Sequence, residues 1–550
     1  MVFNITDTTL KKIKNYADWK LLLFLLLFLN VKLAVKIPAI VIIYLLQFNF
    51  KFGFKFKNSR LPLFYLLIII IPFISLAVNG SYTNVNYLIV FFTGLGFALL
   101  YILAIHQVKL SVENSPSELI HKTILIFFVL NAILSAYNLT SIIFETGAIN
   151  PYRYQGNYQK YFIGTGDYIK GLTFDTSTTN AVLNAIGVIY FLVRKNALMA
   201  CVCMIILLLT GSNFINVALL LILVLLFAFK SNRDQKSLII ICTMFLVVFM
   251  AKVSPQNDQY VIETVKNAIH PQNPVAAVIC AGIKKNDSIP TLDDIRRQVA
   301  TLYLDSIRRG AVKPQVTAKK TTVNIPVLKT EQGKIYLPKP DINTKPYQTN
   351  TDTSAEQKRL LAFISINKPD LPISGTVFNR TTRPGKVIGF LQTITYLRHH
   401  LSKIVAGDGI GNFSSKLAFR ATGLGFAGGY PAKHIYINSD FLRNHLDVYL
   451  NFFSKRIGLH SLTNSPFSVY DQILAEYGVL GVLAFVLFYI GFFTRHYRKL
   501  TYGLPLLLLL LAVLFIDYWF EQLSVILFFE LLLLLNIKET SAKAVNYAHN

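Results

Sequence analysis

Twelve apolar runs recur along this chain, and they decide what it can fold into. They cover residues 19–31, 34–49, 62–78, 86–105, 119–138, 177–193, 197–210, 213–229, 236–251, 468–493, 502–516 and 519–536. A helix that crosses a bilayer needs ~20 mostly apolar residues. In lipid every backbone N–H and C=O must be satisfied within the protein, which leaves helices and closed barrels. Continuous apolarity at these lengths, rather than alternation, selects helices. Composition agrees. Hydrophobic residues make up 53% of the chain and charged residues 15%, whereas soluble domains usually carry about 25% charge. The expected fold class is an all-α polytopic membrane protein with about 12 transmembrane helices, several of them short enough to need tilt or local thinning of the bilayer. The first two runs also fit one long helix, which would reverse the parity of those that follow.

Basic residues test that parity. Lys11, Lys12, Lys14 and Lys20 flank the first run, Lys51, Lys55, Lys57 and Arg60 separate the second and third, and Arg194 and Lys195 the sixth and seventh. Lys230, Arg233 and Lys236, and later Arg495, Arg498 and Lys499, mark two further connections. All fall on one side if both termini are cytoplasmic, as short loops rich in Lys and Arg require. The tight turns near Gly211 and Asp517 carry neither residue. The net charge of +26 is thus largely a topology signal, and no compact basic module points to nucleic acid. Cys201, Cys203 and Cys242 lie in apolar runs and Cys280 in a loop, with no disulfide framework or metal spacing. No cleavable secretory signal is evident, because the first run leads straight into the second.

The expected organisation has four parts. Residues 1–252 form an N-terminal transmembrane bundle of about 9 helices. Residues 253–370 are a polar, basic extracytoplasmic insert, partly flexible, with one helix at TLDDIRRQVATLYLDSIRRG. Residues 371–467 form an amphipathic helical extracytoplasmic region. Within it, GKVIGFLQTITYLRHHLSKI (385–404) spaces apolar residues at three and four, VAGDGIGNF is a glycine-punctuated reversal, and INSDFLRNHLDVYLNFFSKRIG is a second helix capped by Ser439. Residues 468–550 supply about 3 more transmembrane helices and a cytoplasmic tail. A further outward loop, 139–176, is rich in Tyr and Gly. That composition suits interface anchoring, and sugar contact as a second reading.

The outward side gathers Arg380, Arg383, Lys386, Arg398, His399, His400, Arg420, His434, Arg443, His445 and His460, with Asp408, Asp440, Asp447, Asp471 and Glu476 as the acids. Arginine offers bidentate, permanently charged hydrogen bonds to phosphate oxygens, so the group reads as an anion-handling surface; nonspecific attraction to anionic headgroups is the plainer alternative. No HExxH or carboxylate triad marks a metal site. A histidine as general base is chemically natural. GDGIGNF lacks the strand context and GK[ST] ending of a nucleotide loop. Glu530 is an acid within the last span, either functional or paired inside the bundle.

Three stretches carry a likeness. RPGKVIGFLQTITYLRHHLSKIVAGDGIGNF and NSPFSVYDQILAEYGVLGVLAF are the main two; GLTFDTSTTNAVLNAIGVIYF with LLLTGSNFINVALLLILVLL is weaker. In combination they resemble the O-antigen ligase and O-antigen polymerase superfamily over about residues 165–250 and 380–495. The resemblance implies a GT-C-like helical bundle with one large extracytoplasmic loop between helices nine and ten. It implies a metal-independent, cofactor-free glycosyltransferase of surface polysaccharide or lipopolysaccharide biosynthesis. The donor would be an undecaprenyl-pyrophosphate-linked glycan, and the acceptor another glycan (polymerase) or the lipid A core (ligase). Membrane lipids and other polysaccharide-assembly proteins would be partners, and the cell inner membrane the location, with the large loop periplasmic. A transporter or scaffold for such lipids is the reading from another class.

By the same resemblance the catalytic residues are His460, with Arg380 or Arg383 for the pyrophosphate. Arg398, Arg420, His434, Arg443, Asn464, Tyr470, Asp471 and Glu476 bind substrate. The sequence departs from the family in three places. Phe467 and Ser468 stand where His-Asn is usual, Ser212-Asn213 replaces a serine-arginine pair, and the 253–370 insert is unusually large.

Overall fold

A computed structural model of the chain describes residues 16–27, 38, 41, 51–53, 60–154, 166–254, 330–331, 334–335, 384–422, 430–431, 434, 436–445, 448, 452, 465–495, 497–498 and 500–548. The protein is mostly helical. Four helices are long and apolar enough to cross a membrane: Val85–Asn114, Ser117–Thr146, Arg233–Val253 and Val469–Thr494. Shorter apolar helices accompany them. Two small strand pairs, Lys51–Gly53 with Arg60–Pro62 and Thr330–Glu331 with Lys334–Ile335, complete the regular structure among the described residues.

In chain order the helices are α1 (Trp19–Leu27), α2 (Phe64–Val78), α3 (Val85–Asn114), α4 (Ser117–Thr146), α5 (Ser177–Val193), α6 (Ala197–Leu209), α7 (Asn213–Phe229) and α8 (Arg233–Val248). Then follow α9 (Gly385–His399), α10 (Leu401–Ala406), α11 (Lys416–Ala421), α12 (Ser439–Asn444), α13 (Val469–Leu483), α14 (Gly503–Val513) and α15 (Leu523–Ala548). Local chemistry sets several ends. Asn84, Thr176 and Asn196 each accept an amide in the first turn of the helix that follows, and Asn232 forms a reciprocal capping box with Gln235. The expected amphipathic helix at 385–404 breaks at His400, whose extended ψ of 71° separates α9 from α10. The cap of α12 is Asn438, one residue before the expected Ser439. Nearly all of run 34–49, helix 291–310 and nearly all of the 253–370 insert lie outside the described residues.

α15 is the axis of the bundle. From Val525 to Leu535 every side chain is buried, as expected of a helix apolar on all sides. Its few polar groups pin its neighbours. Glu530 Oε1 accepts from Tyr65 of α2, from Tyr101 of α3 at 2.9 Å and from Tyr489 at 2.9 Å. Asn536 Oδ1 accepts the amides of Thr501 and Gly503, both at 3.0 Å, where α14 begins. Lys538 Nζ donates to the carbonyls of Val112 and Ser115, each at 2.7 Å, at the end of α3. Tyr489 sits on a π-helical stretch, Ala484–Ile490, that continues α13.

The turn Gly407–Phe413 packs against α13 at a kink. Gly478 there adopts φ 64° and ψ −160° inside the helix. A Cβ on Gly407 would lie 2.3 Å from the carbonyl carbon of Glu476, and one on Gly478 would lie 2.5 Å from the Gly407 nitrogen. Both glycines also have positive φ. Gly407→Ala and Gly478→Ala are each expected to lower stability by more than the about 1–3 kcal/mol of the backbone conformation alone, because backbone atoms must also part. Thermal unfolding of the purified variants in detergent checks this, and a neutral Gly478→Ala would contradict the close approach.

Candidate functional site

The two stretches that carry most of the sequence likeness meet at one end of the bundle. The Glu476 carboxylate on α13 accepts the amides of Gly411 at 2.9 Å and Phe413 at 3.1 Å. The carbonyls of Ala475 and Glu476 accept the amides of Asp408 and Gly409, at 2.9 and 3.1 Å. Ser75 Oγ and Asn79 Nδ2 of α2 both donate to Gly407 O at 3.1 Å. The expected reversal is thus a buried turn, tied to α2 and α13, that sets the positions of Asp408 and Asn412.

Behind the turn lies a charge cluster. Lys403 Nζ donates to Asp408 Oδ1 at 2.6 Å, Asp440 Oδ2 at 2.8 Å and the Tyr396 hydroxyl at 2.7 Å. Burial raises the Asp408 carboxyl above its ordinary range, against the opposing pull of Lys403. Burial also works to lower Lys403, but its two carboxylate partners hold it above the usual lysine value.

Ahead of the turn is a buried polar cluster. Asp471 Oδ2 accepts from Ser414 Oγ at 2.8 Å, and the Thr393 hydroxyl also bonds the carboxyl. Ser414 Oγ is 3.0 Å from the Tyr518 hydroxyl. His445 Nε2 lies 4.0 Å from Asp471 Oδ2. Its ring stacks between Phe413 and Phe419, with centroids at 5.0 and 5.9 Å. Both ring nitrogens and Asp471 Oδ1 are buried with no hydrogen-bond partner among the described residues, the pattern of a site that holds water or a polar group. Burial pushes His445 down to about 3, so the imidazole is neutral at physiological pH.

Lys386 borders this cluster. Its ammonium donates to Ser465 Oγ at 2.9 Å, to Phe467 O, and to Ile516 O at 3.2 Å. It therefore is not part of an anion-handling surface, as its charge alone implied, but a tie between α9, the lead-in to α13 and the turn after α14. Burial lowers it to about 7, with Asp517 and Asp471 opposing. On the far side of the turn a small cleft of about 40 Å³ is lined by Gly94, Phe97, Tyr101, Ile410, Phe520 and Glu521, among others.

Of the residues expected from sequence, Arg380, Arg383, His460 and Asn464 lie outside the described residues, as does the side chain of Arg443. Asp471 and Glu476 are brought to the buried polar cluster and the turn. Tyr470 donates to Leu511 O at 2.6 Å and so braces α14. Arg420 places its guanidinium 6.0 Å from the Phe97 ring centroid and acts electrostatically on Glu521. Arg398 is exposed on α9, and His434 is half-buried in the strap before α12. Sequence reasoning missed Ser414 and Tyr518, and placed His445 only within the outward basic group. The spacing of Phe441, His445 and Val448, all buried, was a signal, because it puts the histidine on the apolar face of its segment. Among the described residues no group of three or more His, Cys, Asp or Glu side chains is placed to hold a metal ion.

No family model, curated protein or solved structure matches this chain.

The lowered Lys386 value has a stability consequence. Between about 7 and 10.5 the unfolded chain holds a proton that the folded chain releases, so this contribution is complete above 10.5 and is lost as pH falls toward 7. Wild type should therefore gain on Lys386→Met as pH rises through that window, by at most about 1.4 kcal/mol per pH unit. Parallel unfolding series of the two proteins read the difference; a constant offset would contradict it.

Proposed function

We propose that this chain is a membrane glycan transferase that polymerises repeat units carried on undecaprenyl pyrophosphate, in surface polysaccharide assembly. The arrangement proposed is a GT-C-like bundle of about 12 spans in an inner membrane, with both termini cytoplasmic and the large loop periplasmic. One observation carries most of the support. Residues 385–413 and 465–485, the two stretches with the strongest likeness to the O-antigen ligase and polymerase superfamily, interlock through Glu476 beside a buried cluster of ionisable groups at the end of an apolar bundle. A polyprenyl chain belongs in lipid while its pyrophosphate and sugars belong at the interface. Catalytic groups for such a donor are best held at helix ends.

In this reading Arg380 and Arg383 stabilise the departing pyrophosphate, as preorganised cations do without a metal. His445, buried 4.0 Å from Asp471, is assigned here to accept the proton of the attacking acceptor hydroxyl. His460, outside the described residues, is supported by the resemblance alone.

In a host lacking the gene, single repeat units on the acceptor are expected in place of long chains when surface and carrier-linked glycans are separated on a gel. Long chains accumulating on the carrier lipid would instead mark a ligase, and an unchanged pattern would remove the enzyme reading. On add-back, His445→Ala should slow chain formation by about 10²-fold or more, the usual contribution of a general base. Wild-type activity should also persist well below the ordinary histidine range near about 6.5. Full activity of His445→Ala together with loss in His460→Ala would move the base to His460.

A further inference from the structure

α9 is apolar on its outward side as well as toward the protein. The side it presents to the protein buries Ile388, Tyr396 and Leu397 together with Lys386, Gln392 and Thr393. The opposite side carries Val387 and Phe390, 41% and 40% exposed, with Leu391 and Ile394 half-exposed between them. At roughly 100° per residue these four fall within one arc. A surface helix in water keeps its apolar stripe toward the core and polar residues outward. The apolar stripe ends at Arg398 and His399, both exposed.

α10 extends the same surface. Leu401 and Val405, one turn apart, are 71% and 56% exposed. The end of α10 is fastened to α2 through Gly407 O. α2 itself is an apolar helix whose Ile70, Phe73, Ile74 and Val78 are exposed, as a lipid-facing side would be. The exposed apolar faces of α2, α10 and α9 thus continue one another.

We infer that α9 and α10 form an elbow seated in one leaflet of the membrane, with Val387, Phe390, Leu401 and Val405 among the lipid chains and Arg398 and His399 at headgroup level. Three features select lipid as the occupant. The outward side of α9 carries an apolar stripe, that stripe continues the face of α2, and the basic end lies where anionic headgroups sit. α9 is about 22 Å long, enough to lie along or slant through one leaflet. The buried polar cluster around Asp471 and His445 then sits directly behind a lipid-contacting helix.

The test places tryptophan on the exposed face. Phe390→Trp, Leu401→Trp and Val405→Trp are made singly in the full chain, with Trp19 and Trp519 supplying the background of the parent. Each protein is reconstituted into phosphatidylcholine vesicles with and without brominated acyl chains, and iodide serves as the aqueous quencher. Most of the added emission should be lost to brominated lipid and little to iodide. Quenching by iodide with indifference to bromine would place the elbow in water and overturn the proposal. Indifference to both would overturn it as well, by showing the face covered by protein, such as a second copy of the chain. All three positions are exposed, so the indole displaces no packed neighbour; a variant that failed to fold would leave the other two to decide.

Discussion

Much of the described architecture hangs on one carboxylate. Glu476 is fully buried and satisfies the amides of Gly411 and Phe413, while the carbonyls beside it satisfy those of Asp408 and Gly409. An irregular turn can be buried only if its polar backbone groups are paired, and here a helix supplies the partners. Gly407 and Gly478 make the approach close enough for those bonds to form. With the turn fixed, Asp408 is delivered to Lys403, Phe413 to the His445 ring and Ser414 to Asp471.

The bundle shows the same economy. Polar atoms surrounded by hydrocarbon are costly unless paired, and Glu530 Oε1, Asn536 and Lys538 of α15 make joints with neighbouring helices. The Glu530 oxygen gathers three phenols from three segments. Asn536 and Lys538 finish the exposed ends of two neighbouring helices, which otherwise leave unpaired amides and carbonyls. Elsewhere Asn131 holds the loop at Leu172 through its backbone amide and bonds Asn180 of α5. The end with Glu476 is thus built on a frame braced from within.

The sequence made the helices easy to see and their charges hard to interpret. Runs 177–193 and 213–229 match α5 and α7 to the residue, because a membrane helix is written as uninterrupted apolarity with polar caps. The glycine turn was legible for a similarly local reason: its positive φ angles need glycine. Lys386 was not legible. Two of its three acceptors, Ser465 and Ile516, lie 79 and 130 residues away, and nothing local distinguishes a buried tie from a surface cation. His445 was half legible, since its spacing placed it on an apolar face while its partner Asp471 belongs to another helix. The residues expected to bind pyrophosphate, Arg380 and Arg383, fall outside the described part of the chain.

The π-helical stretch Ala484–Ile490 acts as a vernier between two fixed marks. At one end of its helix Glu476 must face the glycine turn, and at the other Tyr489 must face Glu530. A regular α-helix fixes the angle between two such positions at roughly 100° for every residue separating them, and that angle need not suit both partners. Wider turns absorb the mismatch, at the cost of less favourable hydrogen-bond geometry. The two ends of the protein are therefore not independently adjustable. An insertion or deletion of a single residue anywhere between 476 and 489 would leave an apolar helix of nearly the same composition, yet it would turn one end away from its partner.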